Sequence, residues 1–207
     1  MTDPALPQRE TVKHEDASPA FRRRGWIGAV LLAPPLVATL LLPPMVAAGS
    51  WGDLAMSLFA WPTLIAGAAL RFWSTLHIGG RKRVEVVEDG PYAMCRNPLY
   101  LGTLLNVSSA ALFLESPLLL AGALLLALSY VALTIPAEER FLAAKLGEPY
   151  RDYCRRVPRL LPRLSLLHAP RKLEVDVAAL GRECRRAFWW ILIPVLSEVL
   201  SFVHARS

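Results

Sequence analysis

Cysteine is scarce in this sequence, and charge is almost missing from its long apolar runs. The three cysteines, Cys95, Cys154 and Cys184, are odd in number and far apart, which excludes a disulfide framework and leaves reduced thiols as the expectation. The four histidines, His14, His77, His168 and His204, show no metal-ligand spacing with one another or with a cysteine, so no metal is expected. No internal repeat is present, and the basic residues match no nucleic-acid-binding motif, so the net charge of +6 is not read as a nucleic-acid signal. Lysine and arginine instead cluster between apolar runs, as they do where loops meet an anionic membrane surface.

What is abundant is apolar surface: 54% of the 207 residues are hydrophobic and the mean hydropathy is +0.37, more than a soluble core of this size needs. Residues 1–24 read as a polar lead-in, disordered over 1–18 and ending in Arg22, Arg23 and Arg24. The uncharged stretch that follows is too long, and begins too far in, for a secretory signal; it predicts a spanning helix over 26–48, kinked by Pro34-Pro35 and Pro43-Pro44. After a short loop around Asp53, a second run over 54–70, extended by the aromatic pair Phe72 and Trp73 near an interface, completes an N-terminal membrane hairpin, 25–75.

A polar loop with Arg81, Lys82, Arg83 and Arg96 leads to a third run, 97–114, and after Glu115 a fourth, 116–137. Asn97 and Ser116 suit N-cap positions, and Pro98 and Pro117 suit the first helical position. From Glu138 to Arg163 the apolar residues keep helical spacing on one face, predicting a helix that lies on or leaves the membrane. Residues 76–163 form the expected core, and 164–207 an extension in which 187–205 is favoured as a fifth span despite Glu198. The basic segments share one side, which the positive-inside rule makes cytoplasmic. The fold expected is an all-α polytopic membrane helix bundle of four to five transmembrane helices with a cytoplasmic-side pocket.

Chemistry concentrates at that rim. The turn from Gly90 to Gly102 runs through Arg96 into a helix start at Asn97 and Pro98, where free N–H groups and a guanidinium favour an anion. Gly102 lets something approach the helix closely. Glu138, Glu139 and Arg140 end the fourth apolar run, carboxylates that want a cationic partner at that depth. Tyr150 and Tyr153 then stand three residues apart among arginines, with Asp152 and Arg156 spaced as an i,i+4 pair.

Taken together, G-P-Y-x-x-x-R-N-P-x-Y-x-G from Gly90, then E-E-R from Glu138, then G-x-x-Y-x-x-Y-x-x-x-V-P-R from Gly147 resemble the isoprenylcysteine carboxyl methyltransferase and phospholipid methyltransferase superfamily. The resemblance covers about residues 76–162; many members have histidine where this chain has Asn97 and phenylalanine where it has Leu146. It implies an integral membrane enzyme that uses S-adenosylmethionine to methylate a lipophilic acceptor, an isoprenylcysteine-type carboxylate or a lipid headgroup, among membrane lipids. It implies a cofactor site of Tyr92, Arg96, Asn97, Pro98, Tyr100, Gly102, Glu138, Glu139 and Tyr153, with Arg140, Arg151 and Arg155 orienting the acceptor. Methyl transfer to a carboxylate needs alignment and desolvation but no general base, so the missing histidine is compatible with it. Two alternatives stand: a membrane reductase related to the sterol reductases, and a non-catalytic membrane protein.

Overall fold

The computed structural model describes residues 19–42, 46, 49–81, 84–168, 170 and 172–204, and gives no side-chain placement for 19–24 or 204. The lead-in expected over 1–18 and the second proline pair, Pro43-Pro44, lie outside the described residues. Among the described residues the chain is helical and has no strand.

Helix α1 covers Pro19–Leu41 and α2 covers Trp51–Ile78. Asp53 belongs to the first turn of α2 rather than to a loop: its N–H bonds the Ser50 hydroxyl at 3.3 Å and its carboxylate accepts from Gly49 N–H at 2.8 Å. The helix then continues through Phe72 and Trp73 to Ile78, just past the expected hairpin boundary at 75. A short α3, Pro91–Met94, precedes α4, Pro98–Phe113, and α5, Pro117–Ser129. Ser116 caps α5 through Leu119 N–H at 3.1 Å.

Beyond α5 the long apolar helix does not end at Glu138 as expected. One π turn, Tyr130–Thr134, joins α5 directly to α6, Ile135–Leu146, so that the apolar and charged portions share one continuous helix. It stops at Gly147, whose φ of 70° suits a residue without a Cβ, and α7 follows over Glu148–Arg156. The last helix, α8, covers Val177–His204, beginning ten positions before the expected start because Asp176 caps it through Ala178 and Ala179 N–H at 2.9 and 3.1 Å. Among the described residues, three helices are long and apolar enough to cross a membrane: α2, the joined α5 and α6, and α8. Helices α1 and α4 are shorter apolar helices; the 16 residues of α4 reach about 24 Å.

The closest packing joins α2 to α4. A Cβ on Gly67 or on Gly102 would sit 3.0 Å from the other's carbonyl oxygen, so what approaches Gly102 is helix α2 and not a ligand. Gly102→Val is expected to force the pair apart and lower the unfolding free energy in detergent by about 1–3 kcal/mol. An unchanged thermal midpoint would contradict that packing.

Helix α1 packs against α5 rather than forming a tight hairpin with α2. The reason lies in its prolines. Pro35 leaves the Leu31 carbonyl without its helical donor, and Gly122 of α5 comes so close that a Cβ there would stand 3.2 Å from that oxygen. Thr39 then bonds the Pro35 carbonyl at 2.7 Å and the Ser116 hydroxyl at 2.5 Å, pinning the far end of α1 to the start of α5. Ser197 of α8 bonds the Phe113 carbonyl at this same rim. The end of α2 and the starts of α4 and α8 meet at the opposite rim, which carries the charges.

Candidate functional site

The Gly90 turn is held from several sides. Gly90 adopts φ 57°, with the His77 ring packed where a Cβ would point, and α3 buries Tyr92, Ala93 and Met94. The segment after α7 grips the turn through its backbone: Arg96 N–H donates to Pro158 O at 2.9 Å and Arg163 N–H to Met94 O at 3.0 Å. The Asn97 carbonyl receives the first N–H groups of α4, but its side chain turns away and donates to Arg159 O at 3.0 Å, so it caps with backbone alone.

These constraints bring the turn against the acidic end of the long helix. Arg96 Nε stands 3.3 Å from Glu139 Oε1, while Arg96 Nη1 donates to Cys154 O at 3.2 Å. The other Glu139 oxygen accepts from Arg159 Nη2 at 3.0 Å. Despite their proximity, Arg96 Nε and Glu139 Oε1 are both buried without a well-formed hydrogen bond, as is the Tyr92 hydroxyl. Buried polar atoms left in this condition are uncommon in folded proteins. Beside them the Tyr100 hydroxyl donates to Glu138 Oε2 at 2.7 Å, and Tyr153 donates to the Tyr92 carbonyl at 2.8 Å.

A cavity of about 730 Å³ opens onto these groups. Tyr92, Arg96, Asn97 and Pro98 line it from the turn, Tyr100 from α4, Glu138 and Glu139 from α6, and Tyr153 from α7. It continues into an apolar limb between Gly28 and Leu32 of α1, Val107 of α4, Leu126 of α5 and Trp190 of α8. Four predicted positions are not part of it. Gly102 faces α2, and Arg140 is exposed and outside the lining. Arg151 and Arg155 pair with Glu148 at 3.2 and 3.0 Å on the exposed face of α7. Asp152 takes Arg155, not the expected Arg156, which reaches Glu88 at 2.7 Å.

The cavity wall also contains a buried pair that local sequence patterns did not suggest. Arg71 of α2 donates to Glu183 of α8 through Nε at 2.6 Å and Nη2 at 3.0 Å, a bidentate fork, and its Nη1 reaches Thr103 Oγ1 at 2.5 Å. The only hint was a lone arginine in an otherwise apolar run.

Burial sets the protonation of the rim. It pushes the phenols of Tyr92, Tyr150 and Tyr153 well above their ordinary value, keeping them as neutral donors, and raises the Cys95 thiol to about 11. At about pH 8 a water-soluble maleimide is therefore expected to label exposed Cys184 first, half-buried Cys154 more slowly and Cys95 only on unfolding. Rapid labelling of Cys95 in the folded protein would contradict its burial.

The profile of the phospholipid methyltransferase family matches residues 49–148, from just before α2 to the start of α7. The chain is 30% identical over 177 residues to the nickel-cobalt-cadmium resistance protein NccN of Alcaligenes xylosoxydans xylosoxydans, covering 83% of this chain and 82% of that protein. It is 37% identical over 138 residues to the cobalt-zinc-cadmium resistance protein CzcN of Cupriavidus metallidurans, covering 65% of this chain and 62% of the relative. A shorter match, 45% over 76 residues, joins it to methanethiol S-methyltransferase 2 of Bradyrhizobium diazoefficiens and spans 35% of this chain and 27% of that enzyme. No solved structure matches. With its apolar helices, its profile match and a relative aligned over most of its length, the chain belongs to the isoprenylcysteine and phospholipid methyltransferase superfamily, a family of membrane methyltransferases.

Proposed function

We propose that this protein transfers a methyl group from S-adenosylmethionine to a lipophilic acceptor, in a cavity at the cytoplasmic boundary of the membrane. The observation that carries this reading is the set of buried polar atoms left without hydrogen bonds beside the cavity: Arg96 Nε, Glu139 Oε1 and the Tyr92 hydroxyl. A cation and an anion 3.3 Å apart, with a neutral phenol donor nearby, suit the carboxylate and ammonium of an amino-acid end. Arg96 would take the carboxylate and Glu139 the ammonium. Glu138, already engaged by Tyr100, would hold the wall between them.

When bound, the donor supplies an electrophilic methyl group on a sulfonium. The protein's part is to bind, orient and exclude water. Buried aromatic rings at Tyr92, Tyr100 and Tyr153 favour a positively charged ligand through their faces. The apolar limb lined by Leu32, Val107 and Leu126 suits a lipid-like tail, which places the acceptor's polar end at the rim. This reading assigns no role to Arg140, Arg151 and Arg155, since none lines the cavity. The cytoplasmic side is inferred from the clustering of basic residues at one rim.

The match to a methanethiol methyltransferase favours a second reading, in which the acceptor is a thiol that loses its proton as the carbon–sulfur bond forms. One experiment separates the two. Purified protein in nanodiscs is incubated with radiolabelled donor and a lipid extract, and the product is treated with alkali. Label released as methanol identifies a carboxyl ester and alkali-stable label in the lipid phase a methylated headgroup amine, whereas a parallel incubation with a small thiol in place of the extract gives a labelled thioether only on the second reading. No protein-dependent transfer to any extract or thiol would sink the proposal.

A further inference from the structure

The segment between α7 and α8 has a composition unsuited to water. From Val157 to Leu173 it contains no acidic residue, while Arg159, Arg163, Arg171 and Lys172 are interleaved with leucines and prolines. Leu161, Leu164 and Leu167 are 79%, 73% and 47% exposed, although the segment lies at the charged rim and crosses no membrane itself. Between them, Leu160 points inward and packs against the cluster that Tyr100, Val107, Leu126 and Ile135 form between the spanning helices. That contact fixes the depth of the segment at the level of the helix bundle. Arg163 and Lys172 are exposed.

We propose that residues 159–168 form an interfacial strap, inserted by Leu161, Leu164 and Leu167 into the surrounding leaflet and held there by anionic lipid headgroups on Arg163 and, beyond the strap, on Lys172. Apolar side chains that penetrate the headgroup boundary, flanked by exposed cations, are the physical pattern of a segment that lies in a membrane surface. The strap also has a mechanical link to the site. It bonds the Gly90 turn at both ends, through Gly90 N–H to His168 O at 2.8 Å and Arg163 N–H to Met94 O at 3.0 Å. Arg159 connects it to Glu139 as well. An anchored strap therefore steadies the turn that carries Arg96, and this consequence alone rests on the proposed function.

The test uses the full chain in nanodiscs. Leu164→Trp is compared with the wild-type protein, whose own tryptophans give the background, using lipids brominated in the upper acyl chain. The added tryptophan is expected to be quenched, and more strongly when phosphatidylglycerol is mixed into phosphatidylcholine. Arg163→Gln and Lys172→Gln, introduced singly into the Leu164→Trp protein, are each expected to raise the phosphatidylglycerol fraction needed for half-maximal quenching by about fivefold. No quenching of the added tryptophan would overturn the insertion, and equal quenching with and without phosphatidylglycerol would overturn the headgroup contact. Binding of the methyl donor is then titrated in both lipid mixtures. Tighter binding with phosphatidylglycerol supports the link to the turn, and equal affinity overturns it. Failure of the donor to bind in either mixture would refute the proposed function while the quenching result stands.

Discussion

Glu183→Ala is expected to destabilise the protein by about 3–5 kcal/mol, the largest loss of any single side chain considered, because it strands a buried guanidinium. The Arg71 side chain is 12% exposed and that of Glu183 4%, so little water reaches either. Thr103 and the Leu99 carbonyl would still touch Arg71, but neither carries a charge. Glu183→Gln keeps one acceptor and should lose less. Replacing both partners, Arg71→Met with Glu183→Leu, removes the charges together and should restore most of the stability, since buried pairs exchange readily for apolar ones of similar volume. Denaturant unfolding in mixed micelles reads all four proteins. A Glu183→Ala loss below about 1 kcal/mol would mean that water solvates Arg71 in its place.

The location of this pair bears on function as well as stability. Glu183 and Trp190 belong to α8, beyond the family match at 49–148, yet both line the cavity. Helix α8 is therefore a wall of the site, tied in by Arg71, rather than an appended tail. The sequence carries no sign of this, because the segment around Glu183 reads as a basic stretch: Arg182, Arg185 and Arg186 surround it. Arg71 is similarly disguised by Phe72 and Trp73, which read as an interfacial belt. The two residues are 112 positions apart, and no local periodicity reports such a pairing.

What was legible followed from composition and from charge at the ends of apolar runs. Hydropathy located the helices, and the proline and serine signals at Ser116 and Pro117 marked the start of α5 correctly. The change from apolar to charged at Glu138 suggested a helix end; instead the π turn at Tyr130–Thr134 keeps the helix going, and a change in polarity along an axis is not a change in backbone. Gly102 shows the limit of reading single residues: a glycine announces a close approach but not what approaches, and here it is Gly67 of α2. The arginines at 140, 151 and 155 fit a rim in sequence, yet only the rotation of each helix decides which side chains face the cavity.

That rotation gives Arg96 and Glu139 the second large effect. Arg96→Ala and Glu139→Ala are each expected to weaken donor binding by about 2–5 kcal/mol, roughly thirtyfold or more, because each removes one partner from a desolvated pair of charges. The two losses should differ in kind. Without Arg96, Glu139 keeps Arg159 at 3.0 Å, so the fold and the ammonium contact survive while the carboxylate loses its cation. Without Glu139, Arg96 keeps only the Cys154 carbonyl, and its charge opposes the ammonium. Arg96→Lys, which retains charge but not the planar fork, should fall between. Arg151→Ala, on the exposed face of α7, should bind as the wild type does. A donor analogue lacking the carboxylate makes the assignment specific: its affinity should no longer respond to Arg96→Ala but should still fall with Glu139→Ala, since the missing group and its cation form one interaction. Equal responses of the analogue to both substitutions would reverse or dissolve the assigned roles, and unchanged donor affinity in both variants, with thermal midpoints intact, would remove this pair from the binding site.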